Sequence, residues 1–339
     1  MRACFGFEKT CEKAELLLLA RYKYNQDLFI YSESGHHEKA GFKYRCIDHD
    51  GSHLRDGFGF WGAVTLGYGA GQMSGPISGN VSEATLDFRS TLAFDNNLTL
   101  GFDASVAHVD DPATRHDDFN NTAARLTYQF GSGATVGAYI EHTNRGVFND
   151  ELTSYGVIGG YNERNYHILG FYGASNTDDR PGITIRDYGL SAGFAVNDHL
   201  TFAANVMRSA LSNSGMLNGD YDLFDLAANY RINTQWAIFA GISHKAYNLP
   251  VVATSDTYGL GVSYALPAGS NVPAVLSLEL AQDRISPSGG ARTFKRNTIR
   301  VGVTFPLGKS ETTTPLNSAA GKIETRRHSV YAMSDHFDY

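Results

Sequence analysis

The sequence is poor in the features that mark zinc-binding, nucleic-acid-binding and helical membrane proteins. All three cysteines lie before residue 50, and their spacing matches no zinc-binding pattern. A cysteine-free body suits an oxidising compartment, where a stray thiol forms wrong disulfides. No stretch approaches the roughly 18 apolar residues that a transmembrane helix needs. The net charge of −7 argues against a nucleic-acid partner, which would call for a basic patch.

Proline is also scarce, with 9 residues, whereas glycine is abundant at 36 and aromatic residues make up 12% of the chain. Aromatic residues fit strands and glycine fits turns, so this mixture favours an all-β protein. Within residues 57–308, apolar and polar residues alternate over long segments, as where Leu86 and Phe88 flank Asp87. Such alternation predicts strands of about 9–11 residues, the length that crosses a membrane at a tilt.

The segments that connect these strands alternate between short and long. Six are short, and seven are long, at about 11–15 residues each. The long segments are residues 70–82, 109–121, 143–153, 175–186, 209–220, 245–256 and 283–297. Short periplasmic turns and long external loops are typical of outer-membrane barrels. The sequence therefore predicts an all-β fold, a closed antiparallel transmembrane β-barrel of about fourteen strands (range 12–16) over residues 57–308.

The polar residues of the alternating segments predict a charged, water-filled lumen. The residues expected to line it are Asp87, Arg89, Asp103, Arg125, Glu141, Asp187, Asp225, Arg231, Glu279 and Arg300. Such groups can sort ions by a transverse field, or they can brace the wall as salt bridges. The residue pattern leaves both interpretations open.

Aromatic residues cluster at both ends of the predicted strands. Those at the short-turn end form a predicted girdle of Phe94, Phe130, Tyr161, Phe194, Tyr230, Trp236, Tyr264 and Phe305. Rings of amphipathic aromatics lie at the headgroup levels of membrane barrels. We therefore expect these side chains to face the membrane interface.

The last predicted strand carries the most specific pattern. Residues 300–307 read Arg-Val-Gly-Val-Thr-Phe-Pro-Leu, so a polar residue and a glycine precede a spaced aromatic and apolar residue. This strand resembles the C-terminal signal read by the barrel-assembly machinery, with Arg300, Gly302, Phe305 and Leu307 in the signal positions. On this pattern and on the connection lengths, about three quarters of the chain resembles Gram-negative outer-membrane porins.

The resemblance implies a channel in the outer membrane for passive diffusion of small hydrophilic solutes or ions. It implies no catalytic activity and no cofactor. The partners that it implies are outer-membrane lipid and lipopolysaccharide, the diffusing solutes, the barrel-assembly machinery and, in some family members, further copies of the same chain. The solute is not specified by these motifs.

Acidic residues outnumber basic ones in the predicted lumen and form pairs in the predicted loops. The loop pairs are Asp110-Asp111, Asp117-Asp118, Asp150-Glu151 and Asp178-Asp179. A negative mouth concentrates cations, so we expect a weak cation preference. Paired carboxylates can also hold Ca²⁺, but they are more often solvated charges, so no metal site is expected.

Two end segments depart from the porin pattern. Residues 1–56 form an atypical leader, because their one apolar run is broken by Glu15 and flanked by charges, unlike a signal peptide. Residues 309–339 form a polar C-terminal tail, which is expected to be disordered or to serve as a periplasmic tether.

Two other functions remain as alternatives. A barrel enzyme of the protease or lipase type would need clustered catalytic groups, and His108, His116, His142 and His244 lie near predicted loop bases. They form no recognisable catalytic motif, so the enzyme is disfavoured. A non-channel adhesin or structural barrel is the second alternative.

Overall fold

The computed structural model describes a large barrel, a small separate strand pair and one short helix. The described residues are 17–18, 30–31, 59–94, 97–112, 117–144, 151–177, 183–213, 219–248, 252–267, 273–289, 292–308, 310, 312–325 and 327–329. Strands β1 (Leu17–Leu18) and β2 (Ile30–Tyr31) pair with each other in antiparallel orientation. The rest of the predicted leader, residues 1–56, lies outside the described residues.

The fourteen barrel strands follow one another along the chain. They are β3 (Gly59–Ser74), β4 (Gly79–Ala93), β5 (Leu98–Asp110), β6 (Asp117–Gln129), β7 (Ala134–Asn144), β8 (Glu151–Asn162), β9 (Tyr166–Thr177), β10 (Ile183–Ala195), β11 (Leu200–Asn213), β12 (Gly219–Arg231), β13 (Trp236–Asn248), β14 (Val252–Ala265), β15 (Val275–Pro287) and β16 (Phe294–Gly308). The helix α1 (Ala319–Glu324) follows the last strand.

The barrel closes between its first and last strands. Each strand pairs in antiparallel orientation with its neighbours in sequence, and β16 pairs with β3 with Val301 opposite Tyr68. Closure leaves the barrel sheet without an edge, so the main-chain groups of every barrel strand are paired on both sides. The predicted fold class, an all-β closed barrel of fourteen strands, is confirmed.

Side chains alternate between two very different surfaces. Outward-facing Leu86, Leu190 and Leu260 are 45%, 57% and 59% exposed, whereas inward-facing Asp87 and Asp103 are buried. An apolar surface of this extent is not stable in water, but it suits the lipid around a transmembrane barrel. Among the described residues, no helix is long and apolar enough to cross a membrane.

The strands extend further than the sequence analysis predicted at the external end. Residues 283–297 were expected to form a loop, yet β15 continues to Pro287 and β16 begins at Phe294. Asp283 pairs with Arg296 across these two strands. The prediction of 11–15-residue loops was wrong, because a strand that extends beyond the lipid needs no apolar face and resembles a loop in sequence.

The C-terminal segment lies inside the barrel. We call residues 312–325 and 327–329, which include α1, the plug. Its helix packs against the inner wall at β11, β12, β13 and β14, and Ala320 and Ile323 are buried against Ala227 and Phe239. For these residues the prediction of a disordered tail or periplasmic tether was wrong. A polar segment becomes ordered where a polar wall supplies partners for its main chain.

Candidate functional site

The lumen wall contains all ten residues that were predicted to line it. Each occupies an inward-facing position in the alternation of its strand. Seven of them are buried, namely Asp87, Asp103, Glu141, Asp187, Asp225, Glu279 and Arg300, and the other three, Arg89, Arg125 and Arg231, are partly exposed. Their role in a conducting pore stays a prediction.

One group of charges joins β4, β15 and β16. The guanidinium of Arg300 lies 3.3 Å from Glu279, 3.6 Å from Glu83 and 3.9 Å from Asp283. Arg296 lies 3.0 Å from Asp283 on the same side of the lumen. Three carboxylates thus surround Arg300, and removing this cation would leave them without their shared counter-charge.

A second group lies on β4, β5 and β6. The carboxylate of Asp103 accepts hydrogen bonds from Arg89, at 3.1 Å, and from Arg125. Further round the wall, Asp187 accepts hydrogen bonds from the hydroxyls of Ser175 and Ser209. These contacts support the wall-bracing interpretation for the residues involved, since their charges already have partners within the barrel.

Acidic and hydroxyl groups of the wall accept hydrogen bonds from the main chain of the plug. Glu279 accepts the Ala319 N–H at 2.9 Å, and the Thr65 hydroxyl accepts the Leu316 N–H at 3.2 Å. On another part of the barrel wall, on β7, Glu141 accepts the main-chain N–H of His328 at 3.2 Å. Buried N–H groups of the plug are thereby satisfied by wall side chains.

Other wall groups donate hydrogen bonds to the plug. Asn205 donates to the carbonyl oxygen of Ile323 at 2.8 Å, and Arg89 donates to the carbonyl oxygen of Gly321 at 3.2 Å. Asn229 on β12 donates to the hydroxyl of Thr313 at 3.1 Å. Together with the acceptors, these contacts come from β3, β4, β7, β11, β12 and β15, so the wall holds the plug from several sides.

The helix approaches the wall closely because two inward-facing residues there are glycines. A Cβ atom at Gly241 would lie 2.7 Å from the main chain of Ala319 and Ala320. One at Gly259 would lie 2.6 Å from the Cβ of Ala319. Glycine lets two backbones come together where any side chain would keep them apart. These two glycines on β13 and β14 therefore form the seat of α1.

The end of the plug also stacks on aromatic residues. The imidazole of His328 lies parallel to the ring of Tyr139, with centroids 3.8 Å apart. The guanidinium carbon of Arg327 lies 5.6 Å from the centroid of the Phe119 ring, a cation–π distance. Both aromatic side chains belong to the inner wall, so they fix the end of the plug as well as its helix.

The predicted aromatic girdle lies at the turn end of the barrel. Phe130, Tyr161, Phe194, Tyr230 and Trp236 are exposed on the outer wall, and Phe94, Tyr264 and Phe305 are partly exposed. The rings of Trp236 and Tyr264 contact each other at a centroid distance of 4.7 Å. In the assembly-signal strand, Arg300 and Gly302 face the lumen, and Phe305 and Leu307 are partly exposed. Both functional assignments stay predictions.

The histidines considered for an enzyme are dispersed. His108 on β5 lies 2.6 Å from Asp118, and His244 on β13 lies 2.7 Å from Asp256. The two pairs are on opposite sides of the barrel. Both imidazoles are exposed on the outer wall, and His116 lies outside the described residues. Within the described part of the chain, no three histidine, cysteine or acidic groups are placed to hold a metal ion. The expected absence of catalytic activity stays a prediction.

Several wall residues of the site were missed. Glu83 is four residues from Asp87 on the same strand and therefore faces the same side, so the alternation could have identified it. Asp283 and Arg296 were assigned to a loop. The plug residues were missed because their segment is polar. A signal was present: Leu316, Ala319, Ala320 and Ile323 have the spacing of one helix face.

No family model matches the chain, and no curated protein matches it. Among solved structures it is similar to OmpT, an outer membrane protein of Vibrio cholerae, with a TM-score of 0.45 and 10% identity over 76% of this chain and 100% of that one. A FadL homologue of Pseudomonas aeruginosa has a TM-score of 0.45 and 12% identity over 73% and 90% of the two chains. An anion-selective porin from Comamonas acidovorans has a TM-score of 0.42 and 8% identity over 74% and 99%. At these scores the likenesses decide neither solute nor mechanism.

The class of the protein follows from its own geometry. A closed barrel with an apolar outer wall and a charged inner wall fits a lipid bilayer and no aqueous compartment. The chain is an outer-membrane β-barrel, and its lumen contains part of its own C-terminal segment.

Proposed function

We propose that the protein is an outer-membrane channel for passive diffusion of small hydrophilic solutes or ions, and that the plug restricts its conductance. The observation that carries this proposal is the content of the lumen. An α-helix with its side chains is about 10 Å across. A lumen that accommodates α1 is therefore wide enough for hydrated ions and small solutes when the plug is displaced.

The chemistry of the wall supports the same function. Small barrels that do not conduct are filled by side chains that pack against each other. Here the inward positions of Asp225, Asn229 and Glu279 are polar, and the space between them is occupied by a separate segment. A wall that binds a polar segment can also be solvated by water, so displacement of the plug leaves a hydrated passage.

Weak cation selectivity is part of the proposal. The predicted lumen has six acidic residues and four arginines, and the loops add the acidic pairs named above. Of the loop carboxylates, Asp110, Asp118 and Glu151 lie at strand ends, at the end of the barrel opposite the girdle. A negative mouth raises the local concentration of cations.

The test is conductance of the refolded full chain in planar lipid bilayers. The proposal predicts ohmic steps, with transitions between a low and a high level as the plug moves. A variant with a loosened plug, Gly241→Ala, should spend more time at the high level. The absence of ohmic steps in both proteins, when both are shown to be folded, would exclude a channel.

A further inference from the structure

The lumen already contains a polypeptide along much of its length. At the girdle end, Asn229 binds Thr313 two residues before the end of β12. Towards the opposite end of the barrel, Glu141 binds the main chain of His328 three residues before the end of β7. The plug therefore advances along the barrel axis, and its course marks a path that a peptide can occupy between the walls.

Much of the contact between wall and plug is made with the main chain of the plug. Glu279 accepts the N–H of Ala319, and Arg89 donates to the carbonyl oxygen of Gly321. Asn205 likewise donates to a main-chain carbonyl oxygen of the plug. Alanine and glycine have no polar side chain, so at these points the wall binds groups that every peptide possesses.

A basic side chain of the plug enters an acidic part of the wall. The Nζ atom of Lys322 lies 3.9 Å from the carboxylate of Glu83, and Lys322 also interacts electrostatically with Asp87 on the same strand. One oxygen of Asp87 accepts a hydrogen bond from Ser105, and the other has no hydrogen-bond partner within the described part of the chain. This part of the wall can therefore accept a further N–H donor from an ammonium or guanidinium group.

We propose that the solutes of this channel are short basic peptides, and that the plug occupies their binding site. This inference rests on the proposed function, because it names the solute class of the same lumen. Arg89, Asn205 and Glu279 bind the main chain of the peptide, and Glu83 and Asp87 bind its lysine or arginine side chain. A bound peptide thus makes the contacts that the plug makes when it is seated.

A simple cation fits the same wall less well than a peptide does. A metal ion or a polyamine can approach the carboxylates of Glu83 and Asp87, but it has no hydrogen-bond acceptor. Arg89 and Asn205 offer N–H groups to the lumen, and these need an acceptor when water is displaced. A basic peptide supplies carbonyl oxygens to these donors and an N–H donor to the carboxylates.

The experiment records the full chain in planar lipid bilayers and measures transient blocks of the high conductance level. The probes are two capped hexapeptides at about 1 mM, Ala-Ala-Gly-Lys-Ala-Ala and Ala-Ala-Gly-Gln-Ala-Ala. The lysine peptide should block about fivefold longer than the glutamine peptide, because a charge pair in a partly buried site slows dissociation. Spermidine, a cation without a peptide group, should block more briefly than the lysine peptide. Proteoliposomes that contain the protein should take up the lysine peptide.

Two variants separate peptide binding at this site from a general attraction of cations. Glu83→Gln should abolish the difference between the lysine and glutamine peptides. The matched control is Asp283→Asn, which also removes a carboxylate next to Arg300. Asp283 bonds to Arg296 and Thr257 of the wall, so this variant should retain the difference between the peptides.

Equal block times for the two peptides in the wild type would overturn the inference. So would a lysine advantage that persists in the Glu83→Gln variant, equally long blocks by spermidine, or blocks without uptake of the peptide. In each of these cases, ohmic steps in salt alone would leave the channel itself standing. Absence of such steps from the folded protein would refute the channel and the solute class together.

Discussion

Replacement of Gly241 by alanine is expected to loosen the plug and to raise conductance. A Cβ atom there would lie 2.7 Å from the Ala319 carbonyl carbon and the Ala320 nitrogen, and 3.1 Å from the Ala319 Cβ. Carbon atoms in contact prefer a separation of about 3.5–4.0 Å. The helix α1 must therefore withdraw from β13 by about 1 Å, which strains the hydrogen bonds that hold it to Glu279 and Asn205.

The size of the effect follows from the energetics of overpacking. An extra methyl group in a well-packed contact costs about 1–3 kcal/mol. Since 1.4 kcal/mol changes an equilibrium tenfold, the ratio of displaced to seated plug should rise by about 5- to 150-fold. In single-channel recordings this ratio is the time spent at the high conductance level divided by the time spent at the low level.

The matched control is Gly101→Ala. Gly101 also faces the lumen, but a Cβ there would meet only the side chain of Arg125, at 3.5 Å or more. Gly259→Ala serves as a second test, since its Cβ would lie 2.6 Å from that of Ala319. Heat-dependent gel mobility checks that each variant is folded. If the folded Gly241 and Gly259 variants record like the Gly101 variant, the plug does not limit conductance and the reasoning is refuted.

Three other predictions concern the wall, assembly and selectivity. Arg300→Met should lower the free energy of unfolding by about 3–5 kcal/mol in urea titrations, because buried Glu279 loses its guanidinium partner, while Glu83 keeps Lys322 and Asp283 keeps Arg296. Arg208→Met, which breaks an exposed pair, should lower it by about 1 kcal/mol or less, and equal losses would contradict the argument. Phe305→Ala should reduce the yield of assembly into membranes that contain the barrel-assembly machinery more than Phe102→Ala does, with unchanged conductance of the folded fraction. A normal assembly yield would count against the assembly signal. Reversal potentials across a salt gradient should show weak cation preference at 0.1 M salt, where the Debye length is about 10 Å, and a smaller preference at 1 M, where it is about 3 Å. Anion preference at low salt would show that the lumen arginines set the sign of the ion selectivity.

The sequence predicted the barrel well, because lipid forces a simple pattern on a strand. Leu86, Asp87 and Phe88 alternate since one face meets hydrocarbon and the other meets the lumen. The same reasoning lost accuracy above the membrane. There the β15 and β16 ends, with Asp283 and Arg296, are still paired strands but have no apolar face to reveal them.

The residues of the lumen wall could be predicted one by one, but the segment that occupies the lumen could not. The alternation along each strand places Glu279 and Arg300 inside, whereas nothing in a single strand indicates which other segment they contact. The plug has the helical spacing of Leu316 to Ile323 and a serine N-cap at Ser318, but its polar composition favoured disorder. Composition rules assume that a segment must bury an apolar face to become ordered. Inside a polar barrel, hydrogen bonds from the wall replace much of that requirement.

The turn at Gly308 has a consequence for the way the lumen is occupied. Gly308 has a φ of +64°, and a Cβ there would lie 2.2 Å from the carbonyl oxygen of Phe60, so only glycine reverses the chain at this point without strain. Strand β16 thus joins the plug through only a few residues. A short tether keeps a displaced plug at a local concentration in the millimolar range. The rate at which the displaced plug re-enters the lumen is therefore first order in protein concentration. A free peptide of the plug sequence must reach about millimolar concentration to compete with the tethered plug.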